Sequence, residues 1–262
     1  LKDAGVELFE FHPVNPLKDL RVWRVNRRNH RKLLVIDGRV AFTGGVNITD
    51  QYSAPSQGIP SGRPGWRDTH IQVQGPAVAE FQKLFLANWE RNHDRIEVSE
   101  HYWPPLTSVG KTWVRTARNE GADFVHVFTE GGKELLQVIR GKEQEHKHGI
   151  YEAYLNIIRK ARHRVWITQA YFAPNDAFIE AMTQAAQRGV DVRILMPGES
   201  DIGLLPLASQ HHYKTLLKAG IRVFEYDVST MIHAKTAVVD GVWSTVGSSN
   251  LDYRSFIHND EA

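Results

Sequence analysis

"NHRKLLVIDGRVAFTGGVN" runs from Asn29 to Asn47, and "IHAKTAVVDGVWSTVGSSN" runs from Ile232 to Asn250. Laid over one another, the stretches pair His30 with His233, Lys32 with Lys235 and Asp37 with Asp240. Gly44 then falls on Gly247 and Asn47 on Asn250. Five such residue types recur at fixed spacing by chance at roughly one start position in a million. Two copies in one chain therefore mark a duplicated unit. The match extends upstream, where "AGVELFEF" (Ala4–Phe11) answers "AGIRVFEY" (Ala219–Tyr226).

Around the second copy, helix and strand patterns alternate. Helical spacing covers Tyr151–Arg162, Ala177–Arg188 and Leu204–Leu217, and Gly189 and Gly220 stand just past the last two. Apolar runs at Val165–Gln169, Val190–Met196, Ile221–Tyr226 and His233–Val239 read as strands. This order predicts an α/β fold of two duplicated units, each a mostly parallel sheet flanked by helices, with the motifs meeting at the interface. In the first unit Ile71 and Val73 alternate as in a strand, and Pro76–Asn92 reads as a helix with Phe81, Leu84, Phe85 and Trp89 inward. Leu34 and Ile36 are expected to continue the His30 and Lys32 face into the core.

The first unit lacks the counterpart of residues 149–215, and the second stops where the strand read within Trp66–Gly75 would begin. The chain therefore reads as an internal fragment. Residues 1–95 form the rear of the first unit, 96–148 the connection and 149–262 the second unit. The Pro/Gly/Ser segment Ser53–Gly65 reads as an exposed loop.

Composition narrows the function. The 262 residues are 42% hydrophobic and 24% charged, as in ordinary globular proteins. A net charge of +2 is too small to indicate a nucleic-acid partner. No cysteine is present, so disulfides and thiolate metal sites are excluded. His146–His148 and the pair His211 and His212 lack further ligands at suitable spacing, so no metal and no cofactor are expected. The basic run Arg21–Lys32 could meet anionic headgroups or nucleic acid, or be a solvated loop.

The chemistry lies in the repeated residues. In a strand alternate side chains share a face, so each unit offers an imidazole beside an ammonium. Lysine suits a phosphate oxygen, and Asn47 and Asn250 can add amide donors. Gly44, Gly45 and Gly247 are expected to let backbone approach the ligand, with Ser248 beside it. Two units facing each other would surround one phosphate, with one histidine attacking phosphorus and the other protonating the departing oxygen. Each imidazole needs an acceptor on its other nitrogen. The candidates are Asp68 for His30 and Glu261 for His233. Asp37 and Asp240, at strand ends before glycine, complete the six motif residues as turn and lysine-positioning groups.

H-x-K-x4-D-x6-G-[GS]-x-N, twice in one chain, resembles the phospholipase D superfamily. "NHRKLLVIDGRVAFTGGVNI", "WRDTHIQVQGPAVAEFQ", "TVGSSNLDYRSF" and "HNDE" look like the bacterial cardiolipin synthases of that superfamily. The resemblance implies a phosphohistidine intermediate, with His30 as nucleophile and His233 as acid. It implies catalytic roles for His30, Lys32, Asp37, His233, Lys235 and Asp240. Phosphatidylglycerol would be the anionic substrate, joined in pairs to cardiolipin and glycerol at a bacterial membrane surface. The same constellation would serve a phospholipase D hydrolase releasing phosphatidic acid, or a metal-independent nuclease. The weak basicity and the lack of an aromatic stripe beside the motifs speak against nucleic acid. A non-catalytic membrane-binding module is disfavoured by the intact motif in both units.

Overall fold

The computed structural model describes residues 1–11, 28–52, 65–90, 113–118, 125–127, 139, 141–142, 147–203, 205–226 and 230–262. The Ser53–Pro64 stretch, most of the basic run and most of the connection lie outside them.

In the first unit, β1 (Leu33–Ile36) turns at Asp37 and Gly38 into β2 (Val40–Gly44). Both turn residues hold the left-handed backbone, φ 51° and 61°, that Asp and Gly tolerate best. β3 (Thr69–Gln74) follows, then α1 (Val78–Glu90), β4 (Trp113–Arg118) and β5 (Val125–Val127). The sheet order is β1-β2-β3-β4-β5, and every neighbouring pair is antiparallel. β4 and β5, from the segment read as connection, thus extend the first sheet. Val78 and Phe81 of α1 pack onto Ala41, Ile71 and Val73, with Leu33 and Val35 at the margin.

The second unit opens with a short hairpin, β6 (Gly141–Lys142) and β7 (Lys147–His148), ahead of α2 (Gly149–Lys160). Then come β8 (Arg164–Gln169), β9 (Phe172–Ala173), α3 (Asp176–Gln187), β10 (Asp191–Pro197) and α4 (Leu205–Lys218). The chain closes with β11 (Arg222–Tyr226), β12 (Lys235–Val239), β13 (Trp243–Val246), β14 (Leu251–Asp252) and α5 (Tyr253–Ile257). The main sheet is ordered β11-β10-β8-β12-β13. Its core gathers Ile158 of α2, Phe178 and Met182 of α3, Ile167, Ile194 and Leu216. Phe178 also stacks on Phe256 at 5.1 Å. Burying each such side chain contributes roughly 1.5–3 kcal/mol. Asn175 caps α3 by accepting from the Phe178 N–H, which holds the first turn of the helix.

The α/β class and the paired units stand, but strand direction differs from the expectation of mostly parallel sheets. β11, β10 and β8 are parallel, whereas β12 and β13 run antiparallel, as does all of the first sheet. For the β1–β2 and β12–β13 pairs the physical reason is the Asp-Gly turn, which sends the chain straight back as a hairpin instead of through a crossover helix. Leu34 and Ile36 are 54% and 44% exposed, not in the core, because α1 covers the opposite face. The equivalent Ala237 and Val239 are buried in the core of the second unit. Phe85 also faces outward, stacked on Trp89. Val6–Glu10 forms no strand, unlike its counterpart β11, which is held by β10.

Two single-residue bridges join the units. Asn29 pairs with Asp260, and Arg67 pairs with Ile232. The His30 N–H donates to the Asp260 carbonyl at 3.0 Å, and the His233 N–H to the Arg67 carbonyl at 2.6 Å. Asn29 matches Ile232 in the repeat, and Arg67 and Asp260 each directly precede a candidate carboxylate, Asp68 and Glu261, once the longer loop of the first unit is set aside, so one bridge is the two-fold image of the other.

Candidate active site

Each bridge delivers a histidine and a carboxylate to the same place. His233 follows Ile232, and Asp68 follows Arg67. Nδ1 of His233 lies 2.9 Å from Asp68 Oδ2. His30 follows Asn29, Glu261 follows Asp260, and Nδ1 of His30 lies 3.3 Å from Glu261 Oε1. The sequence pairing of Asp68 with His30 and Glu261 with His233 is therefore corrected. The carboxylates are exchanged between units because the bridging backbone brings each one alongside the opposite motif.

Both carboxylates are buried, Asp68 at 1% exposure and Glu261 at 0%. Asp68 Oδ1 accepts from the Thr69 N–H at 2.7 Å. Glu261 Oε2 accepts from Ser248 Oγ at 2.5 Å. A buried carboxylate needs such donors, since an unpaired one would be very costly.

The lysines follow their histidines by one pleat. Lys32 Nζ donates to the His30 carbonyl at 2.7 Å. Lys235 Nζ donates to the His233 carbonyl at 2.5 Å and stands 3.0 Å from Nε2 of the same ring. Burial lowers the proton affinity of Lys235 to a pKa of about 7, against the pull of Asp68 and with the help of Lys32. Lys32 is lowered by burial too, against Glu261 and Asp68. His233 is lowered by burial, opposed by its bond to Asp68 and helped by the Lys235 and Lys32 cations. Charges of both units therefore act within one cluster. A desolvated site holding two ammonium groups and two imidazoles can accept one phosphate anion.

Residues 154–262 match the family model described as cardiolipin synthase, PLD-like domain. The chain is 34% identical over 263 residues to a cardiolipin synthase of Geobacillus thermodenitrificans, covering 100% of this chain and 47% of that protein. It is 35% identical over 261 residues to one from Alkalihalophilus pseudofirmus, covering 100% and 46%.

Residues 154–262 are a phospholipase D-like domain, and the whole chain is similar to cardiolipin synthases.

It spans about half the length of the curated relatives it matches. Among solved structures, the phosphatidylserine synthase of Haemophilus influenzae shares the fold, with a TM-score of 0.56 at 15% identity, covering 89% of this chain and 56% of that one.

The other motif residues fall into place within this phospholipase D-like frame. Asp37 and Asp240 stand at the strand ends away from the histidines, in the turns expected of them. Asp240 accepts from the backbone N–H groups of Arg162, His163 and Arg164 at 2.8–2.9 Å, which lowers its pKa. Its φ of 55° suits the hairpin turn. The glycines make room for neighbouring protein atoms. A Cβ on Gly45 would lie 2.1 Å from Asp68 Oδ1, and one on Gly247 would lie 2.5 Å from the Ala262 carbonyl oxygen. A Cβ on Gly44 would meet the Thr69 carbonyl at 2.4 Å. Ser248 is fully buried and its hydroxyl holds the Glu261 carboxylate. Asn250 is buried, with its amide N–H 3.5 Å from Ser255 Oγ and no partner on Oδ1; Asn47 is half-buried.

Four residues escaped the sequence reading. Tyr52 Oη lies 2.7 Å from Nδ1 of His233 and 3.1 Å from Asp68 Oδ2. The Trp66 ring lies 5.3 Å from that of His233, and the Tyr171 ring 5.9 Å. Tyr171 is tied to Asp201 at 2.7 Å and lies under Lys235 Nζ. Asn259 places its amide 3.4 Å from both His30 Nδ1 and Glu261 Oε1. Asn259 and Trp66 occupy equivalent positions, one residue before each bridge. The signal available was that Asn259 and Trp66 each stand two residues before a paired carboxylate, in "NDE" and "WRD". Among the described residues, no group of three or more His, Asp or Glu is arranged to hold a metal ion.

Proposed function

We propose that the site transfers a phosphatidyl group between alcohols through a phosphohistidine, without a metal. The observation that carries this reading is the exchange of carboxylates. Each imidazole is held at Nδ1 by the opposite unit, which directs each Nε2 away from its carboxylate and makes both units necessary for one site.

Phosphatidylglycerol is the substrate class that fits the relatives' names, with the phosphate between Lys32 and Lys235 and the Asn47 and Asn250 amides beside it. His30, with a side chain 38% exposed, attacks phosphorus through Nε2. The P–O bond to glycerol breaks, and the leaving oxygen takes a proton from His233. The headgroup hydroxyl of a second phosphatidylglycerol then returns a proton to His233 and attacks phosphorus. The P–N bond breaks, His30 is restored, and cardiolipin forms with one glycerol released. His233 rests neutral because burial lowers its pKa. An anionic phosphate beside it raises its proton affinity, so the acid is charged once substrate is seated.

Transfer over hydrolysis is favoured by the surroundings of His233. Its ring is 6% exposed and enclosed by Tyr52, Trp66 and Tyr171. Water is scarce where the incoming oxygen gives up its proton. The substrate places the protein at a bacterial membrane surface. Among the described residues no helix is long and apolar enough to cross a membrane.

The test supplies the protein containing this chain with phosphatidylglycerol vesicles and a chelator. Cardiolipin and glycerol in equal amounts are expected. Phosphatidic acid alone would make the site a hydrolase, and cleavage of single-stranded DNA in preference to lipid would make it a nuclease.

A further inference from the structure

The two carboxylates are equivalent by repeat, yet different residues hold them. Glu261 is held by Ser248 Oγ at 2.5 Å. The position matching Ser248 is Gly45, which has no hydroxyl and no room for one, since a Cβ there would lie 2.1 Å from Asp68 Oδ1. The hydroxyl on Asp68 comes instead from Tyr52, at the end of the short 3-10 turn Asp50–Tyr52, with Oη 3.1 Å from Oδ2. The position matching Tyr52 is Ser255, whose Oγ meets the Asn250 amide and the neighbouring Asp252 carboxylate rather than Glu261. The hydroxyl has moved by seven positions between the units while keeping its target. A shorter carboxylate, a glycine and a tyrosine in one unit replace a longer carboxylate and a serine in the other.

We infer that Tyr52 is a positioning residue for His233, holding Asp68 on the imidazole and fixing the ring from its own side. This deepens the phosphodiester-transfer reading and rests on it. The Tyr52 Oη is 2.7 Å from Nδ1 of His233 as well as 3.1 Å from Asp68 Oδ2. Burial and the neighbouring Asp68 carboxylate raise the phenol's pKa, so it keeps its proton. The phenol therefore donates to Asp68, and the imidazole donates its Nδ1–H to the same carboxylate. This arrangement sets the tautomer and leaves the Nε2 lone pair directed toward Lys235. The ring also meets Tyr52, edge-on at 75°, and Trp66, tilted by 33°, and those two rings brace each other at 5.7 Å.

Tyr52 thereby tunes how strongly Asp68 attracts a proton on His233. A carboxylate that accepts an additional hydrogen bond holds an imidazolium less tightly. The charged and titratable groups facing His233 are Asp68, Lys235, Lys32, Tyr52 and Tyr171. Of these, Tyr52 is the one that touches both members of the pair.

The experiment is nitrogen-15 NMR of histidine-labelled protein, titrated with acid, for the parent, Tyr52→Phe and Ser248→Ala. Tyr52→Phe is expected to raise the His233 midpoint by about 0.5 unit and to leave the His30 ring nitrogens unchanged. Ser248→Ala is expected to act on His30 and spare His233. Should Tyr52→Phe not fold, 3-fluorotyrosine at position 52, a stronger donor of nearly the same size, is expected to lower the His233 midpoint. In the protein containing this chain, Tyr52→Phe is expected to lower kcat about tenfold with little change in KM. His233 resonances that do not respond to either change at position 52, or that shift together with His30, would overturn the inference. The NMR result stands whatever alcohol or water accepts the phosphatidyl group, so failure of the functional reading is distinguishable from failure of this one.

Discussion

Asp68 belongs to the first unit, and its carboxylate lies 2.9 Å from Nδ1 of His233 in the second. The reciprocal contact, Glu261 to His30, spans 3.3 Å. Two backbone bridges, Arg67 to Ile232 and Asn29 to Asp260, hold these contacts in place. Neither half-site is complete without the other unit.

Asp68→Asn is expected to alter the ring-nitrogen shifts of His233 and to spare those of His30, with Glu261→Gln doing the reverse. Each is expected to reduce phosphatidyl transfer by roughly 10–100-fold. Histidine NMR and initial rates check this. An effect of Asp68→Asn confined to His30 would restore pairing within each unit.

Gly45→Ala is expected to destabilise the protein by roughly 1–3 kcal/mol, because the added methyl collides with a buried carboxylate that has nowhere to go. Urea unfolding followed by circular dichroism measures it. A variant as stable as the parent would show that Asp68 does not occupy that space.

Asp240→Ala removes three bonds to backbone N–H groups and leaves a β-carbon residue at a φ of 55°. The cost is expected to be roughly 1–2 kcal/mol, discounted for partial exposure. The turnover of the folded fraction should stay within about twofold of the parent. A hundredfold loss of kcat at full folding would return Asp240 to the chemistry.

The pKa of Lys235, about 7, gives a definite pH dependence. The group binds its proton more weakly when folded than when unfolded, where the value is 10.5. Between those values the unfolded chain carries more protons, so the Lys235 contribution to stability improves as pH rises through the window. A bound anion reverses the preference, since it favours the ammonium. Millimolar sulfate should therefore raise Tm more at about pH 6 than at about pH 9, relative to chloride at equal ionic strength. An equal gain at both would contradict a titrating lysine in the anion site.

Much of this was legible in the residues. The repeat alone placed His30, Lys32, His233 and Lys235 at strand mouths and singled out Asp68 and Glu261. The helices of the second unit followed from apolar spacing and from Gly189 and Gly220, which adopt φ 89° and 83°. Strand direction could have been read too, because "DG" at Asp37-Gly38 and Asp240-Gly241 signals a hairpin. The exchange of carboxylates could not. Each carboxylate follows its own unit's motif in sequence, and only the bridges between units redirect it. Gly45 and Ser248 were similarly opaque, since both serve a carboxylate distant in sequence and a residue type alone does not say which oxygen is near. Tyr52 has serine at its matching position, so the repeat concealed it.

The central claim is that one oxyanion is held by both units at once, and calorimetric titration with tungstate tests it most directly. One anion per chain is expected, with affinity reduced at least tenfold by Lys32→Met in the first unit and equally by Lys235→Met in the second. Two anions per chain, or binding that survives the loss of either lysine, would show that the motifs do not share a phosphate.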